Sequence, residues 1–279
     1  MSAISRWFSR VIGRSIERQS TTSPFAQTIR QQFLHELRQQ ERYADLRRLT
    51  RYEHQVFSQG GEDGAIREIF RRIGESDRTF VELGVGKGLE NNTAFLLCQG
   101  WSGVWLEGDR DNCEAIRATC AREMQEGRLK LVEASVTAEN VSRLVQDQLR
   151  SPAFDLMSVD LDRNTYHVWA ALDALKPRVV VMEYNALFPS DMVWIAEYDA
   201  GKWWNGTSYF GASLKALEIL GARLGYALVG CDIAGVNAFF VRADLCGDKF
   251  CAPFTAENHF EPVRYYLHTR AGHPPALHD

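Results

Sequence analysis

Residues 79–88 (TFVELGVGKG) constrain this chain most, because an apolar strand pattern runs directly into a glycine-rich turn. Glycines at 84, 86 and 88 let the backbone turn tightly and approach a ligand closely. A helix-compatible run follows, and a second apolar strand ends at Glu107, 23 positions after Gly84. That spacing is close to the roughly 20 residues expected for an acid that hydrogen-bonds a ribose. The sequence therefore predicts a nucleotide-type cofactor site at this turn.

Strand and helix patterns alternate from Phe57 onward, which is typical of a parallel sheet covered by helices. The predicted strands are 79–83, 103–107, 128–133, 154–160 and 178–183, and the predicted helices are 91–99, 111–125, 139–149, 164–175 and 211–224. Two further strand patterns, 226–231 and 237–242, are joined by a turn too short for a parallel crossover, so they must be antiparallel. This arrangement resembles the class I S-adenosylmethionine (SAM) methyltransferases. We predict their Rossmann-like α/β fold: a seven-stranded, mostly parallel sheet with an antiparallel last strand, preceded by an N-terminal helical extension.

Four sequence pieces within about residues 57–245 resemble the FkbM-type methyltransferases. They are Ser58-Gln59-x-Gly61-Glu62-Asp63, residues 80–86 on the first strand, Asn92-Thr93, and residues 100–107 on the second strand. The resemblance implies a set of residues that bind SAM: Gln59, Glu82, Gly84, Gly86, Asn92, Thr93, Glu107, Ser135 and Asp160. Within this set, Glu107 is expected to hold the ribose and Ser135 to lie near the adenine. Two alternatives stay open: Glu82 satisfies backbone amides, and Ser58-Gln59 caps a helix.

Acidic and amide side chains follow the fourth and fifth predicted strands. Asp160 and Asp162 come after the fourth, and Glu183 and Asn185 after the fifth. Adjacent parallel strands bring these positions to one edge of the sheet, where ligands bind in open α/β folds. The layout is similar to that of metal-dependent O-methyltransferases, which implies that Asp160, Glu183 and Asn185 bind Mg²⁺ through oxygen, with Asp162 as a fourth ligand or as the base. Alternatively, Asp160 contacts the cofactor or caps a helix, and Glu183 pairs with an arginine.

Methyl transfer to a hydroxyl needs in-line positioning and loss of the hydroxyl proton, which a cation or a base assists. The candidate catalytic residues are Asp160, Asp162 and His167. Relatives usually carry glycine where Arg163 stands, a departure that affects the loop around Asp162. A lone histidine on a helix such as 164–175 is also commonly a packed residue.

Residues 186–209 form a long insertion rich in aromatic and acidic residues, suited to stacking on a sugar or to forming a small core of its own. A tail at 255–279, which contains His259 and His273, is expected to close over the site. We divide the chain into a basic helical extension, 1–55, and a methyltransferase domain, 56–279.

Charge is unevenly distributed between these two parts. Residues 1–55 hold ten arginines and five acids, whereas the remainder holds 22 basic and 31 acidic side chains. The acidic body argues against a nucleic-acid partner. Residues 1–18 read as a basic amphipathic helix, which predicts either contact with an anionic membrane surface or packing on the domain or on a second subunit.

The six cysteines show no CxxC pair, and we interpret them as reduced. No stretch approaches the roughly 20 apolar residues of a membrane span, so we predict a cytoplasmic protein, with peripheral contact to the inner membrane surface as an option. The predicted function is SAM-dependent O-methylation of a sugar, glycan or polyketide-like metabolite, with Mg²⁺ assistance and with homo-oligomerisation as an option. The alternatives are a metal-independent N- or carboxyl-methyltransferase and a non-catalytic SAM-binding scaffold at the membrane.

Overall fold

The computed structural model describes residues 24–267 and 277–278, and its centre is a seven-stranded sheet. The strands are β1 (Thr79–Leu83), β2 (Ser102–Glu107), β3 (Leu129–Glu133), β4 (Leu156–Val159), β5 (Val179–Glu183), β6 (Tyr226–Cys231) and β7 (Asn237–Arg242). Their order is β3-β2-β1-β4-β5-β7-β6, and β7 runs antiparallel to both of its neighbours. The predicted fold is confirmed, including the antiparallel last strand.

Helices within the described residues cover both faces of the sheet. They are α1 (Pro24–Arg38), α2 (Glu62–Ile73), α3 (Ala94–Cys98), α4 (Arg110–Thr119), α5 (Ala121–Gln125), α6 (Val141–Gln146), α7 (Thr165–Ala170), α8 (Leu214–Leu224), α9 (Ala243–Cys246) and α10 (Ala256–His259). Short 3₁₀ turns lie at Glu41–Tyr43, Leu49–Arg51, Asp162–Asn164 and Tyr265–Leu267. None of the helices described has both the length and the apolar character needed to cross a membrane.

Several predicted helices are shorter than their sequence patterns. The prediction of one helix over 111–125 is wrong, because Cys120 leaves helical geometry (φ −106°, ψ 21°) and separates α4 from α5. Helix α7 ends at Ala170 rather than Leu175, and a proline follows at 177. The proposed amphipathic helix at 1–18 and His273 lie outside the described residues.

Two buried clusters pack on opposite faces of the sheet. One face is covered by α2, α3 and α4, whose apolar side chains contact alternate strand residues such as Phe80 and Trp105. The other face is covered by α6, α7 and α8, with Trp169 at its centre. Because strand side chains alternate between faces, the two sets together fix the register of every central strand.

That register lines up a polar row at the carboxyl edge of the parallel strands. Leu83 pairs with Leu106 and Val159, so Gly84, Glu107 and Asp160 occupy the next position on β1, β2 and β4. Val159 pairs with Met182, which puts Glu183 beside Asp160, and Glu183 pairs in turn with Asn237. Neighbouring strands lie about 4.8 Å apart, so these side chains converge on one edge.

Candidate functional site

A cavity of about 970 Å³ lies over this edge of the sheet. The glycine turn, the ends of β2 and β4, and the start of β7 form its walls. The lining residues include Gln59, Glu62, Glu82, Gly84, Gly86, Asn92, Glu107, Asp109, Asn112, Ala134, Val136, Asp160, Asp162, Trp203 and Asn237. Its size is within the range of small-molecule sites.

The glycine turn needs two of its glycines for different reasons. Gly84 has φ +76°, and a Cβ there would lie 1.8 Å from the backbone oxygen of Asp160. Its role is therefore to let β1 pass closely beside the end of β4. Gly86 has φ +54°, but a Cβ there would meet no described atom within 4 Å. The backbone at Gly86 is therefore open to a ligand.

Glu107 is held against this turn by two backbone amides. Its Oε2 accepts a hydrogen bond from Gly86 N at 2.8 Å, and its Oε1 accepts one from Asp109 N at 2.8 Å. The residue is 8% exposed and lines the cavity. Each carboxylate oxygen retains a second lone pair, so Glu107 can also accept hydrogen bonds from a ribose diol.

Glu82 sits inside a cage of donors at the beginning of the next helix. Asn91 Nδ2, Asn92 N, Thr93 N and Thr93 Oγ1 donate to its carboxylate over 2.6–3.0 Å. Burial raises the pKa of Glu82, and these hydrogen bonds oppose that shift. These contacts agree with the alternative that Glu82 satisfies backbone amides. Glu82 also lines the cavity.

Three carboxylates meet beyond the glycine turn. Oxygens of Asp160, Asp162 and Glu183 lie within 4.8 Å of one another. Asp160 and Glu183 lie close enough for one carboxyl group to donate a hydrogen bond to the other when one of them is protonated. Burial, followed by the charge of Asp162, raises the pKa of Asp160 to about 7. Burial also raises the pKa of Glu183 well above its ordinary value, with the charge of Asp160 adding to the effect.

Asp162 carries backbone strain in this cluster. Its φ is +51°, an unusual value for a residue other than glycine. The next residue is Arg163, whose guanidinium lies 4.9 Å from the centre of the Tyr209 ring. Strained residues of this kind concentrate at functional sites.

Four residues predicted for the site either bind other groups or do not line the cavity. Asn185 donates to the carbonyls of Ser208 and Phe210 and accepts from Leu187 N, so its amide holds the insertion and not the carboxylate cluster. His167 Nε2 lies 2.8 Å from the Ala196 carbonyl. Ser135 and Thr93 are not among the described residues that line the cavity. These positions give no support to the predicted roles of Asn185 in metal binding, of His167 in catalysis, or of Ser135 and Thr93 in cofactor binding.

The insertion is tethered through residues near its middle and exposes an aromatic ring close by. Asn164 Nδ2 donates to the Asp199 carbonyl at 3.0 Å, and Tyr198 hydroxyl donates to Glu139. Trp203, four residues after Asp199, is 54% exposed and lines the cavity. The predicted aromatic platform thus brings one of its rings to the cavity.

The predicted site did not include Glu62 and Asn237, two polar residues that line the cavity. Glu62 is the first residue of α2 and Asn237 the first residue of β7. Glu62 belongs to one of the family-like sequence pieces, which is a signal that could have indicated it. Asn237 offered none, because its strand runs opposite to the others and reaches this edge with its first residue.

No family model matches this chain, and no curated protein matches it. Among solved structures, an O-methyltransferase from Bacillus cereus in complex with SAH is 13% identical, covering 86% of this chain and 96% of that chain, with a TM-score of 0.41. The N-terminal domain of EvdMO1 with SAH bound is 15% identical, covering 66% and 80%, with a TM-score of 0.42. A SAM-dependent methyltransferase from Aquifex aeolicus is 6% identical, covering 64% and 89%, with a TM-score of 0.37.

The strand order of this chain itself defines the class of fold. A parallel sheet ordered β3-β2-β1-β4-β5, extended by the antiparallel β7 and then by β6, is the Rossmann-like arrangement of class I methyltransferases. The cavity lies at the carboxyl edge, where that fold binds its ligands.

Proposed function

We propose that this chain is a SAM-dependent O-methyltransferase of the FkbM type, acting on a hydroxyl of a sugar, glycan or polyketide-like metabolite. One observation carries the proposal: the cavity joins an open glycine turn and a ribose-type carboxylate at one end to a group of proton-accepting carboxylates at the other. These are the two halves that methyl transfer to oxygen requires.

The residues at the first end fit SAM. Gly86 leaves free space above its backbone, and Glu107 is fixed with oxygens available to a diol. Asn112, Ala134 and Val136 line the cavity beyond Glu107, on the side where an adenine would lie. When bound, SAM supplies a methyl carbon that its sulfonium makes electrophilic.

Asp160 is the proposed base for the acceptor hydroxyl. A group with a pKa near 7 is partly ionised at neutral pH and still basic enough to take a proton, which suits general-base catalysis. Burial raises the pKa of Glu183 well above its ordinary value, so Glu183 is the member of the pair that keeps its proton and leaves the Asp160 carboxylate to act as the base. His167 is a weaker candidate because its Nε2 is occupied by a backbone carbonyl.

The same carboxylates fit a hard divalent cation. Their oxygens lie within 4.8 Å of one another, and Glu183 Oε2 is buried with no hydrogen-bond partner among the described residues. Oxygen donors of this kind suit Mg²⁺. In this metal-dependent alternative, Asp160, Asp162 and Glu183 would hold the cation, and its charge would lower the pKa of the acceptor hydroxyl in place of general-base catalysis by Asp160.

The exposed surface around the cavity supports a glycan-like acceptor. Trp203 offers a flat apolar face at the mouth, and such faces stack on sugar rings. The acidic charge of residues 56–279 supports the proposal that nucleic acid is not a partner.

Three further proposals rest on sequence alone. They are a cytoplasmic location, peripheral membrane contact through residues 1–18, and assembly with a second copy. Binding to vesicles that contain anionic lipid, compared between the full chain and a chain lacking residues 1–18, tests the second of these.

Calorimetry with SAM and SAH tests the cofactor half, and absence of binding to either would refute it. SAH production with a panel of hydroxylated acceptors, measured with Mg²⁺ and with chelator, tests the other half. Turnover that chelator leaves unchanged would favour a metal-independent enzyme. SAM binding without transfer to any acceptor would favour a scaffold.

A further inference from the structure

The cavity has a second polar wall on the side of β7, formed by Glu62 and Asn237. Glu62 is fully buried and Asn237 is 6% exposed, yet both line the cavity. Asn237 Nδ2 donates to Glu62 Oε1 at 3.0 Å, a contact between residues 175 positions apart in the sequence. The folded sheet therefore builds this pair.

The wall presents hydrogen-bond acceptors. Glu62 Oε2 accepts from Gly60 N at 2.8 Å, and Asn237 N donates to Asp232, so both of these backbone donors are already used. Asn237 Nδ2 keeps one N–H beyond its bond to Glu62. Asn237 Oδ1 is buried and accepts no hydrogen bond from the described residues. An unsatisfied buried acceptor is costly, and a ligand that supplies a donor would remove that cost.

The position of the wall separates it from the expected adenosine end of the cavity. Asn237 pairs with Glu183, which lies beside Asp160, whereas Glu107 lies two strands from Asp160 in the other direction. At about 4.8 Å per strand, Asn237 is roughly 10 Å from β4 and roughly 20 Å from β2. The carboxylate cluster stands between the two ends.

The charge of the cavity restricts which acceptors can bind there. Seven carboxylate residues line it (Glu62, Glu82, Glu90, Glu107, Asp109, Asp160 and Asp162), and Lys87 is the one cationic side chain among its described lining residues. A phosphate or carboxylate placed near this wall would meet like charge in a partly desolvated site. Neutral or cationic groups are favoured.

We propose that Glu62 and Asn237 form the acceptor-recognition wall of this enzyme and bind a hydroxyl or ammonium donor of a neutral or cationic acceptor. The inference rests on the proposed methyltransferase function, which it extends to a substrate class. A donor of the same chemistry, the ammonium of the methionine part of SAM, is the competing source, and the experiment distinguishes the two.

The experiment compares two variants in protein saturated with SAH. Asn237→Leu removes the free acceptor oxygen. The double variant Glu62→Gln, Asn237→Asp exchanges donor and acceptor, so the internal hydrogen bond is kept and a free acceptor oxygen stays at position 237. Three probes are measured by saturation-transfer NMR: methyl glucoside, its 2-amino analogue and glucose 6-phosphate.

We expect the neutral and amino probes to bind and the phosphate to bind at least tenfold more weakly. Asn237→Leu should weaken both binding probes at least tenfold with the Kd for SAH unchanged, and the double variant should restore them. Equal binding of the phosphate, unchanged binding in Asn237→Leu, or no binding by either expected probe would overturn the proposal.

If Asn237→Leu loses affinity for SAH and the double variant restores it, the wall binds the cofactor. That result would also overturn the proposal that the wall recognises the acceptor. Failure of the proposed function itself shows differently: the unaltered protein would bind neither SAM nor SAH, or would bind SAM and transfer its methyl group to none of the hydroxylated acceptors.

Discussion

Replacing Gly84 by alanine should mainly reduce stability, whereas replacing Gly86 by alanine should mainly reduce cofactor binding, although the two glycines are separated by one residue. Both have positive φ, so alanine at either position costs about 1–2 kcal/mol of backbone strain. At Gly84 the new Cβ would also lie 1.8 Å from the Asp160 carbonyl oxygen, which forces β1 and β4 apart. Overlap of this kind typically adds about 1–3 kcal/mol.

We therefore expect Gly84→Ala to lower the free energy of unfolding by about 2–5 kcal/mol and Gly86→Ala by about 1–2 kcal/mol. At roughly 2–4 °C per kcal/mol for a chain of this size, the midpoints would fall by roughly 10 °C and by a few degrees. The methyl group of Gly86→Ala would occupy open space in the cavity. Calorimetry should therefore show that this variant loses affinity for SAH although it remains folded.

Urea unfolding monitored by fluorescence gives the stability of each variant, and the unaltered chain is the reference for both. Equal losses of stability in the two variants would refute the packing argument for Gly84. Unchanged SAH affinity in Gly86→Ala would refute the assignment of the open space to the cofactor.

The remaining predictions concern the two halves of the site and the sheet beside it. Glu107→Gln should weaken SAH binding by about 1–3 kcal/mol, roughly 5- to 150-fold, in calorimetry, and full affinity would exclude a ribose contact. Asp160→Asn should lower turnover roughly 10²-fold or more at unchanged SAH affinity, and normal turnover would remove it as the base. Trp203→Ala should raise the acceptor KM, whereas the similarly exposed Trp204, which is not among the described lining residues, should tolerate alanine; equal effects would indicate a general change in the loop. Burial raises the pKa of Asp232 to about 8, so the folded state holds its proton more tightly than the unfolded state and stability should fall as pH rises from about 4 to about 8. Urea midpoints across that range should fall less steeply in Asp232→Asn, and an unchanged slope would contradict the assignment.

The sheet could be predicted because its signals are local. Apolar runs and the short turn between β6 and β7 determine strand type and direction, and the carboxyl-edge rule then places Glu107, Asp160 and Glu183 together. The ends of the helices were predicted less accurately. Helices α6 and α7 both end before the apolar pattern in the sequence does.

Side-chain roles were harder to predict because they depend on contacts with residues that are distant in the sequence. Asn185 has the right type and position for a metal ligand, but its amide is used by carbonyls more than 20 residues away. His167 is likewise bound to a carbonyl 29 residues away. A sequence pattern indicates which chemistry a residue can perform, and the packing of the loops decides whether it is free to do so.

The direction of β7 explains why one side of the cavity was missed. In a parallel strand, the residue that follows the last apolar position reaches the ligand edge, so a search for polar residues after strands finds Glu107, Asp160 and Glu183. In the antiparallel β7 the same edge is reached by the first residue, and Asn237 pairs with Glu183 there. Asn237, the first residue of β7, therefore belongs to the site as much as the residues that follow β1, β2 and β4. In a sheet of this type, polar residues at the start of the reversed strand should be examined for acceptor binding on the same basis as those at the ends of the parallel strands.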